Sequence, residues 1–398
     1  MKLIKRKQYL DKLISVKNTP DIKVITGVRR SGKSKLLESF IKTELKKDES
    51  ANIISLNLTD PTNESYLEYH ALYDYIESQY ASAKNNYVLI DEIQMCEGFE
   101  HAVIGLHNTE KYDIYITGSN AFLLSSDLAT LFTGRTFEIE VFPFSFVEFC
   151  TYFEFEPNNE SLNKYFNEGG MSGSYVYNNE NEKYTYLNNV YKTLILRDIV
   201  QKYNIRKPVI IDNLSNYLMD NISNITSIRK ITKELTKAGL QISNVTIASY
   251  TDYLCNAFSF YKINKYNIRG KKYLNTNCKY YLCDHSFRYA KLGKRNMDYG
   301  RILENIVAIE FLRRGYEVYT GALYDKEVDF VAIKQDEKLY VQVSNDLSLL
   351  TTFDREVSPL LKIQDAYPKI ILSRINQPSY SFEGVHIIDV VDWLSDMQ

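Results

Sequence analysis

Gly27-Val28-Arg29-Arg30-Ser31-Gly32-Lys33-Ser34 is the run in this chain of 398 residues whose types and spacing point most directly to chemistry. It fits GxxxxGK[ST] at every fixed position, follows an apolar run, Ile22-Lys23-Val24-Ile25-Thr26, and opens a stretch with helical apolar spacing. A glycine-rich turn lets successive backbone N–H groups face an anion, and the helix N-terminus behind it adds a partial positive charge. Lys33 would reach the β- and γ-phosphate oxygens of a nucleotide, and Ser34 offers a hydroxyl to Mg²⁺. Gly27 to Ser34, extended by Lys35 on the helix, is therefore the expected phosphate-binding set, and ATP with Mg²⁺ the expected ligand.

Val88-Leu89-Ile90-Asp91-Glu92 supplies the second half of that chemistry. An apolar strand that ends in two acids places Asp91 in the magnesium shell and Glu92 where it can polarise an attacking water. Ile116-Thr117-Gly118-Ser119-Asn120 ends another strand with polar side chains, and Ser119 or Asn120 would either sense the γ-phosphate by hydrogen bonding or simply form the turn that ends the strand. Two acids at a strand end can also be merely solvated, but downstream of a P-loop they read as a hydrolytic pair.

These residues require particular elements to position them. Over residues 1–145, short β-rich runs at 22–26, 53–58, 87–91 and 112–117 alternate with helical stretches, the pattern of an α/β parallel sheet with helices on both faces. Residues 146–208 are rich in Asn, Glu and Tyr and read as a helical linker or lid. Residues 209–290 form a mixed unit, and 291–398 return to an αβ pattern. Composition is that of an ordinary globular chain, 44% apolar and 25% charged, and the net charge of −2 excludes polycationic character. The five cysteines show no CxxC pair and no histidine at ligand spacing, so reduced, scattered thiols are expected. The basic start, Met1 to Lys7, has no apolar segment after it, and no window of about 18 apolar residues occurs. Neither a signal peptide nor a membrane span is expected, and the expected location is the cytoplasm.

Thr226 to Asn256 has the spacing of a helix-turn-helix: Ile228, Ile231 and Leu235, a turn at Lys237-Ala238-Gly239, and a second helix capped by Asn244. A hairpin follows across Tyr266 to Gly270, so residues 209–290 read as a winged helix. Its wing carries Lys262, Lys265, Arg269, Lys271 and Lys272 among aromatics, the best local set for DNA phosphates. The second helix has no Lys or Arg, so base readout would fall to Asn244, Thr246, Ser249 or Thr251. DNA contact and protein docking are both open to such a module.

The segments Ile25 to Ser34, Leu89 to Gln94, Ile116 to Ser119, Thr133-Gly134-Arg135 and Phe142 to Phe149 together resemble the prokaryotic AAA+-type ATPases that carry a C-terminal domain of unknown function. That resemblance implies either an arginine finger at Arg135, acting on a neighbouring subunit's γ-phosphate in a homo-oligomer, or a salt-bridging, structural role for it, and a position near the base or hinge for Arg6. Residues 291–398 are similar to the PD-(D/E)xK nuclease fold: Glu304 on a helix, Asp329 on a strand and Gln342 on the next. Ser344 stands where that fold has its lysine, which removes support for deprotonating water. The resemblance, with this departure, thus implies a relic fold used for binding or assembly.

Taken together, the sequence reads as a P-loop ATPase domain followed by a winged helix and a nuclease-like domain, with ATP hydrolysis driving conformational change, on DNA in one version. An ATP-regulated, metal-dependent nuclease and a nucleotide-gated protein scaffold are the alternatives.

Overall fold

Val88, Leu89 and Ile90 are all fully buried, which requires a strand covered on both faces. The computed structural model describes residues 2–396 apart from 119–131, 133, 295–297 and 376. In it the strands β1 (Ile22–Thr26), β2 (Ala51–Asn57), β3 (Asn85–Asp91), β4 (Tyr112–Thr117) and β5 (Thr136–Glu140) form one sheet in the order β2-β3-β4-β1-β5. All four pairings are parallel.

The side-chain alternation of a strand divides this sheet's core in two. Val88 and Ile90 join Ile54, Leu56, Ile114 and Ile116 on one face, with residues of α3 (Tyr69–Ser78) and α4 (Phe99–Asn108). Tyr87 and Leu89 join Ile25, Tyr115 and Ile139 on the other, with residues of α1 (Lys7–Ser15) and α2 (Lys33–Thr43). Lys23 departs from the apolar pattern and is fully buried in β1. Its Nζ reaches Asp113 Oδ1 on β4 at 2.6 Å and the Thr19 carbonyl at 2.6 Å, so the charge is paired across the two strands. Replacing either partner alone would strand a buried charge. Because the strands are parallel, the segments after β1, β3 and β4 leave from the same end of the sheet, and β4 lies between β1 and β3.

The chain divides into two units. The first is Met1–Pro143 with Leu196–Ile205; the second is Phe144–Ile195 with Arg206–Gln398. The second unit opens with helices Phe146–Phe153 and Asn159–Glu168, each started by a reciprocal capping box, Ser145 with Glu148 and Asn158 with Ser161. Helices Glu180–Thr193 and Pro208–Asp220 follow, so the 146–208 region is helical, and its residues 196–205 belong to the first unit.

Helices Ile228–Lys237 and Asn244–Asn256 then lead into β6 (Phe260–Asn267) and β7 (Lys272–Leu282). The second of these helices is capped by Ser243, not Asn244: the Ser243 hydroxyl accepts from the Thr246 N–H at 3.1 Å. The β6–β7 hairpin is not a free wing. Lys265, Tyr266 and Asn267 of β6 pair in parallel with Thr320, Gly321 and Ala322 of β8 (Glu317–Leu323). One sheet therefore crosses the boundary that sequence places at 290. It has eight strands, adding β9 (Lys326–Lys334), β10 (Glu337–Ser344), β11 (Lys369–Ser373), β12 (Tyr380–Phe382) and β13 (Val385–Asp389), in the order β12-β13-β11-β10-β9-β8-β6-β7. Helix Tyr299–Arg313 is buried along most of its length, and Asn305 on it receives the Leu282 N–H at 2.7 Å, tying it to β7.

Candidate functional site

The turn between β1 and α2 can be built only with glycine at two places. Gly27 has φ +130°, and a Cβ there would overlap the Val141 carbonyl oxygen. Gly32, the residue before α2, has φ +102°. Arg6 braces the loop from outside: its guanidinium donates to the Ser31 carbonyl at 2.9 Å and the Phe142 carbonyl at 2.8 Å, and stacks 4.4 Å from the Tyr9 ring. Its observed place is thus under the loop's backbone.

Lys33 is buried, and its Nζ donates to the Gly27 and Val28 carbonyls at 2.9 and 3.2 Å. Burial pulls its pKa down, and the charges of Glu92, Asp198 and Asp91 oppose that pull. Across the sheet, Asp91 Oδ1 accepts from Ser34 Oγ at 3.1 Å and from Thr117 Oγ1 at 2.5 Å. Thr117 Oγ1 in turn accepts the Glu92 N–H at 3.1 Å. Glu92 adopts a left-handed backbone, φ +58°, which is costly for a non-glycine residue. Gln94 Nε2 donates to Glu92 Oε2 at 2.5 Å.

The structure thus brings together Gly27, Val28, Arg29, Ser31, Gly32, Lys33, Ser34, Asp91 and Glu92. Arg30 is exposed, and Lys35 points to solvent and pairs with Glu38 at 2.6 Å. Ser119 and Asn120 lie outside the described residues. Arg135 does not join the set. It is exposed and precedes β5, whose Thr136 is opposite Ile22, so it stands at the end of the sheet away from Gly27, roughly 16 Å along the strand.

Two participants are not evident from sequence. Thr117 is visible there only as the last residue of a strand; its role needs β4 beside β3. Asp198, far along the chain, forms a two-pronged ion pair with Arg29, Oδ2 to Nε at 3.2 Å and Oδ1 to Nη2 at 3.3 Å.

In the second unit, Glu304 and Asp329 do meet, with an unforeseen cation between them. Lys279 of β7 is buried, its Nζ 2.8 Å from Glu304 Oε1, 2.7 Å from Glu327 Oε1 and 3.5 Å from Asp329 Oδ1. Burial opposes its charge, but the three carboxylates outweigh burial and hold the ammonium above the usual lysine range. Burial pushes Glu304 up to about 7, with Lys279 pulling the other way; Tyr281 also donates to it at 2.7 Å. Gln342 receives the Asp329 N–H at 2.6 Å and donates to Glu356 at 2.8 Å. Ser344 Oγ donates to the Asp346 carbonyl at 3.0 Å. Among the described residues no group of three or more His, Cys, Asp or Glu side chains is arranged to hold a metal.

On the hairpin, Lys262, Arg269, Lys271 and Lys272 are exposed and Lys265 is half-buried; Arg269 stacks 5.3 Å from Tyr324. Thr251 is not available for base readout, because it is buried and its hydroxyl donates to the Ile247 carbonyl at 2.6 Å. Helix Ile228–Lys237 adds Arg229, Lys230, Lys233 and Lys237, none of them buried.

A sheet that places a GxxxxGKS turn against the acids of the next strand but one, β3, defines a P-loop nucleotide-binding fold. Residues 19–150 match the family described as an AAA domain, and residues 159–298 match a domain of unknown function. An uncharacterised protein of Haemophilus influenzae is 39% identical over 398 residues, with 98% of each chain covered. An uncharacterised protein of Methanocaldococcus jannaschii is 30% identical over 416 residues, covering 98% of this chain and 90% of that one. The chain belongs to the family of these two proteins, and it carries an AAA domain at its P-loop. Among solved structures, a Walker-type ATPase of Pyrococcus abyssi matches with a TM-score of 0.49 and 17% identity, over 72% of this chain and 95% of that one. AMPPCP-bound DnaA from Aquifex aeolicus matches with a TM-score of 0.33 and 15% identity, over 62% and 86%. Among the described residues no helix is long and apolar enough to cross a membrane.

Proposed function

We propose that this protein binds ATP with Mg²⁺ and hydrolyses it, using the change in nucleotide state to alter its second unit. The observation that carries the proposal is the shared carboxylate: Asp91 is held by Ser34 of the P-loop and Thr117 of β4 at once, beside a buried Lys33. These residues suit the ligand. The hydrogen bonds of the Lys33 ammonium go to two backbone carbonyls, and phosphate oxygens would be stronger partners for it. Ser34 and Asp91 offer the two oxygen ligands that Mg²⁺ takes from protein when phosphates and water complete its shell. When bound, Mg²⁺ neutralises charge on the phosphates.

The chain's own groups do the rest. Backbone N–H groups of Gly27 to Ser34 and the Lys33 ammonium hold the β- and γ-phosphates. Glu92, fixed by Gln94 and by its N–H bond to Thr117, orients the attacking water and accepts its proton as the γ-phosphorus–oxygen bond to ADP breaks. Arg135 stands too far from its own P-loop to take part, so as a finger it would serve a second copy of the chain, which makes the active form a homo-oligomer.

The partner that fits the second unit best is DNA, bound through phosphates by Lys262, Lys265, Arg269, Lys271 and Lys272 together with Arg229, Lys230, Lys233 and Lys237. Nuclease chemistry is disfavoured, because Lys279 already stands among the carboxylates that a metal would need. Phosphate release measured with and without Mg²⁺ and double-stranded DNA tests the proposal. Mg²⁺-dependent release that Lys33→Ala abolishes supports it; release unaffected by Lys33→Ala sinks it.

A further inference from the structure

Asp198 is 4% exposed and lies beside the phosphate-binding turn without belonging to it. It arrives on a short excursion. Leu196–Ile205 is part of the first unit, although Ile195 before it and Arg206 after it belong to the second. The excursion overlaps a π-helical stretch, Leu194–Gln201. Wide turns of this kind are rare in proteins and concentrate at functional positions. Within the first unit Arg197 also touches Met95, its Nη2 3.0 Å from the sulfur, just beyond Asp91 and Glu92.

Arg29 is the second variable residue of GxxxxGKS, and Asp198 holds it through both Nε and Nη2. Asp198 takes the Nε and Nη2 donors, so phosphate oxygens that claim those donors compete with it directly. The Asp198 carboxylate also lies within electrostatic reach of Lys33. Burial raises the Asp198 pKa, and the Arg29 ion pair opposes that rise.

Phosphates entering the turn conflict with this arrangement in two ways. They offer Arg29 competing bidentate oxygens, and they bring negative charge beside a buried carboxylate. Both effects favour separation of Asp198 from Arg29. A ligand shifts a two-state element only through a difference in its affinity for the two states, and here the difference has a stated source.

We propose that Asp198 is a nucleotide-operated latch: it competes with the phosphates of a nucleotide for Arg29, and their arrival displaces it and loosens 196–205. The inference rests on the reading of the turn as an ATP site. Because the segment is continuous at both ends with chain of the second unit, its release gives nucleotide binding a covalent route to that unit.

The test uses the full chain with Mg²⁺ and a non-hydrolysable ATP analogue. Hydrogen exchange of the peptide spanning 194–205 should accelerate when the analogue saturates the wild-type protein. Asp198→Asn keeps size and removes charge. It should exchange fast without nucleotide and bind the analogue about tenfold tighter, as when a closed state filling about nine-tenths of the population is removed. Arg29→Gln opens the same latch from the other side and should show the same fast exchange without nucleotide, which preserves the test if Asp198→Asn fails to fold. Saturable wild-type binding with unchanged or slower exchange at 194–205 overturns the latch and leaves the ATP site standing, as does unchanged or weaker binding by folded Asp198→Asn. Absence of analogue binding by the wild type overturns the ATP site itself, and the latch with it.

Discussion

Thr117→Val removes one buried hydroxyl at nearly constant volume, and two bonds go with it. The first is the 2.5 Å donation to Asp91 Oδ1; the second is the 3.1 Å acceptance of the Glu92 N–H. A hydrogen bond to a charged group contributes about 1.5–3 kcal/mol, and a buried N–H left unpaired costs about 1–3 kcal/mol. Both losses fall on the acids assigned to hydrolysis, while Lys33 and the glycine turn are untouched. If the first loss appears wholly in the transition state, kcat falls about ten- to a hundredfold, since each 1.4 kcal/mol is a factor of about ten. Nucleotide affinity should stay within about threefold. The second loss should lower the melting temperature by a few degrees, at roughly 2–4 °C per kcal/mol for a chain portion of this size. Phosphate release under saturating ATP, binding of a fluorescent ATP analogue and a thermal melt give the three numbers. A folded variant with full kcat refutes the role of Thr117. So does a variant that loses nucleotide binding in the same proportion as turnover.

Other outcomes follow from the same geometry. Gly27→Ala drives a methyl into the Val141 oxygen at φ +130°, so it should abolish nucleotide binding and lower the melting temperature; binding within about threefold of wild type contradicts the cradle. Glu304 titrates near 7 in the folded chain against an ordinary 4.5, so the folded state holds a proton that the unfolded chain has released between those values. Its contribution to stability is present in full below pH 4.5 and is lost as pH rises through about 7; Glu304→Gln should flatten that part of the melting-temperature profile, and an identical slope in the variant refutes it. Changing Lys262, Lys265, Arg269, Lys271 and Lys272 together to Ala should weaken double-stranded DNA binding and reduce its salt slope by about one for each phosphate no longer neutralised. An unchanged slope removes the hairpin from the interface.

The parts legible in sequence are those whose chemistry is local. Gly27 to Ser34 is one uninterrupted segment, and Asp91-Glu92 ends a strand so apolar that its burial is evident. The strands at 22–26 and 112–117 fall where sequence places them, because Ile, Val and Tyr runs between polar turns leave little choice of element. β5 is not legible in this way: Thr136-Phe137-Glu138-Ile139-Glu140 is short and buries only Ile139 while Phe137 stays exposed, and its partner is β1, distant in sequence. Thr117, Asp198 and Lys279 share one reason for being hidden. Each acts on a residue 25 or more positions away, Thr117 on Asp91, Asp198 on Arg29 and Lys279 on Glu304, and only the folded chain brings those pairs together. The hairpin resembles a free wing for the same kind of reason. Its buried Ile263 and Tyr266, set among more exposed neighbours, suit any half-buried strand, and nothing local announces the pairing of β6 with β8.

In the proposed function, hydrolysis of ATP, as distinct from its binding, rests on Glu92. Glu92→Gln keeps the shape of the side chain and removes its ability to accept a proton. Steady-state phosphate release with Mg²⁺, paired with binding of an ATP analogue, should show release reduced at least about a hundredfold and binding retained. Release by Glu92→Gln at the wild-type rate would contradict hydrolysis through this carboxylate directly.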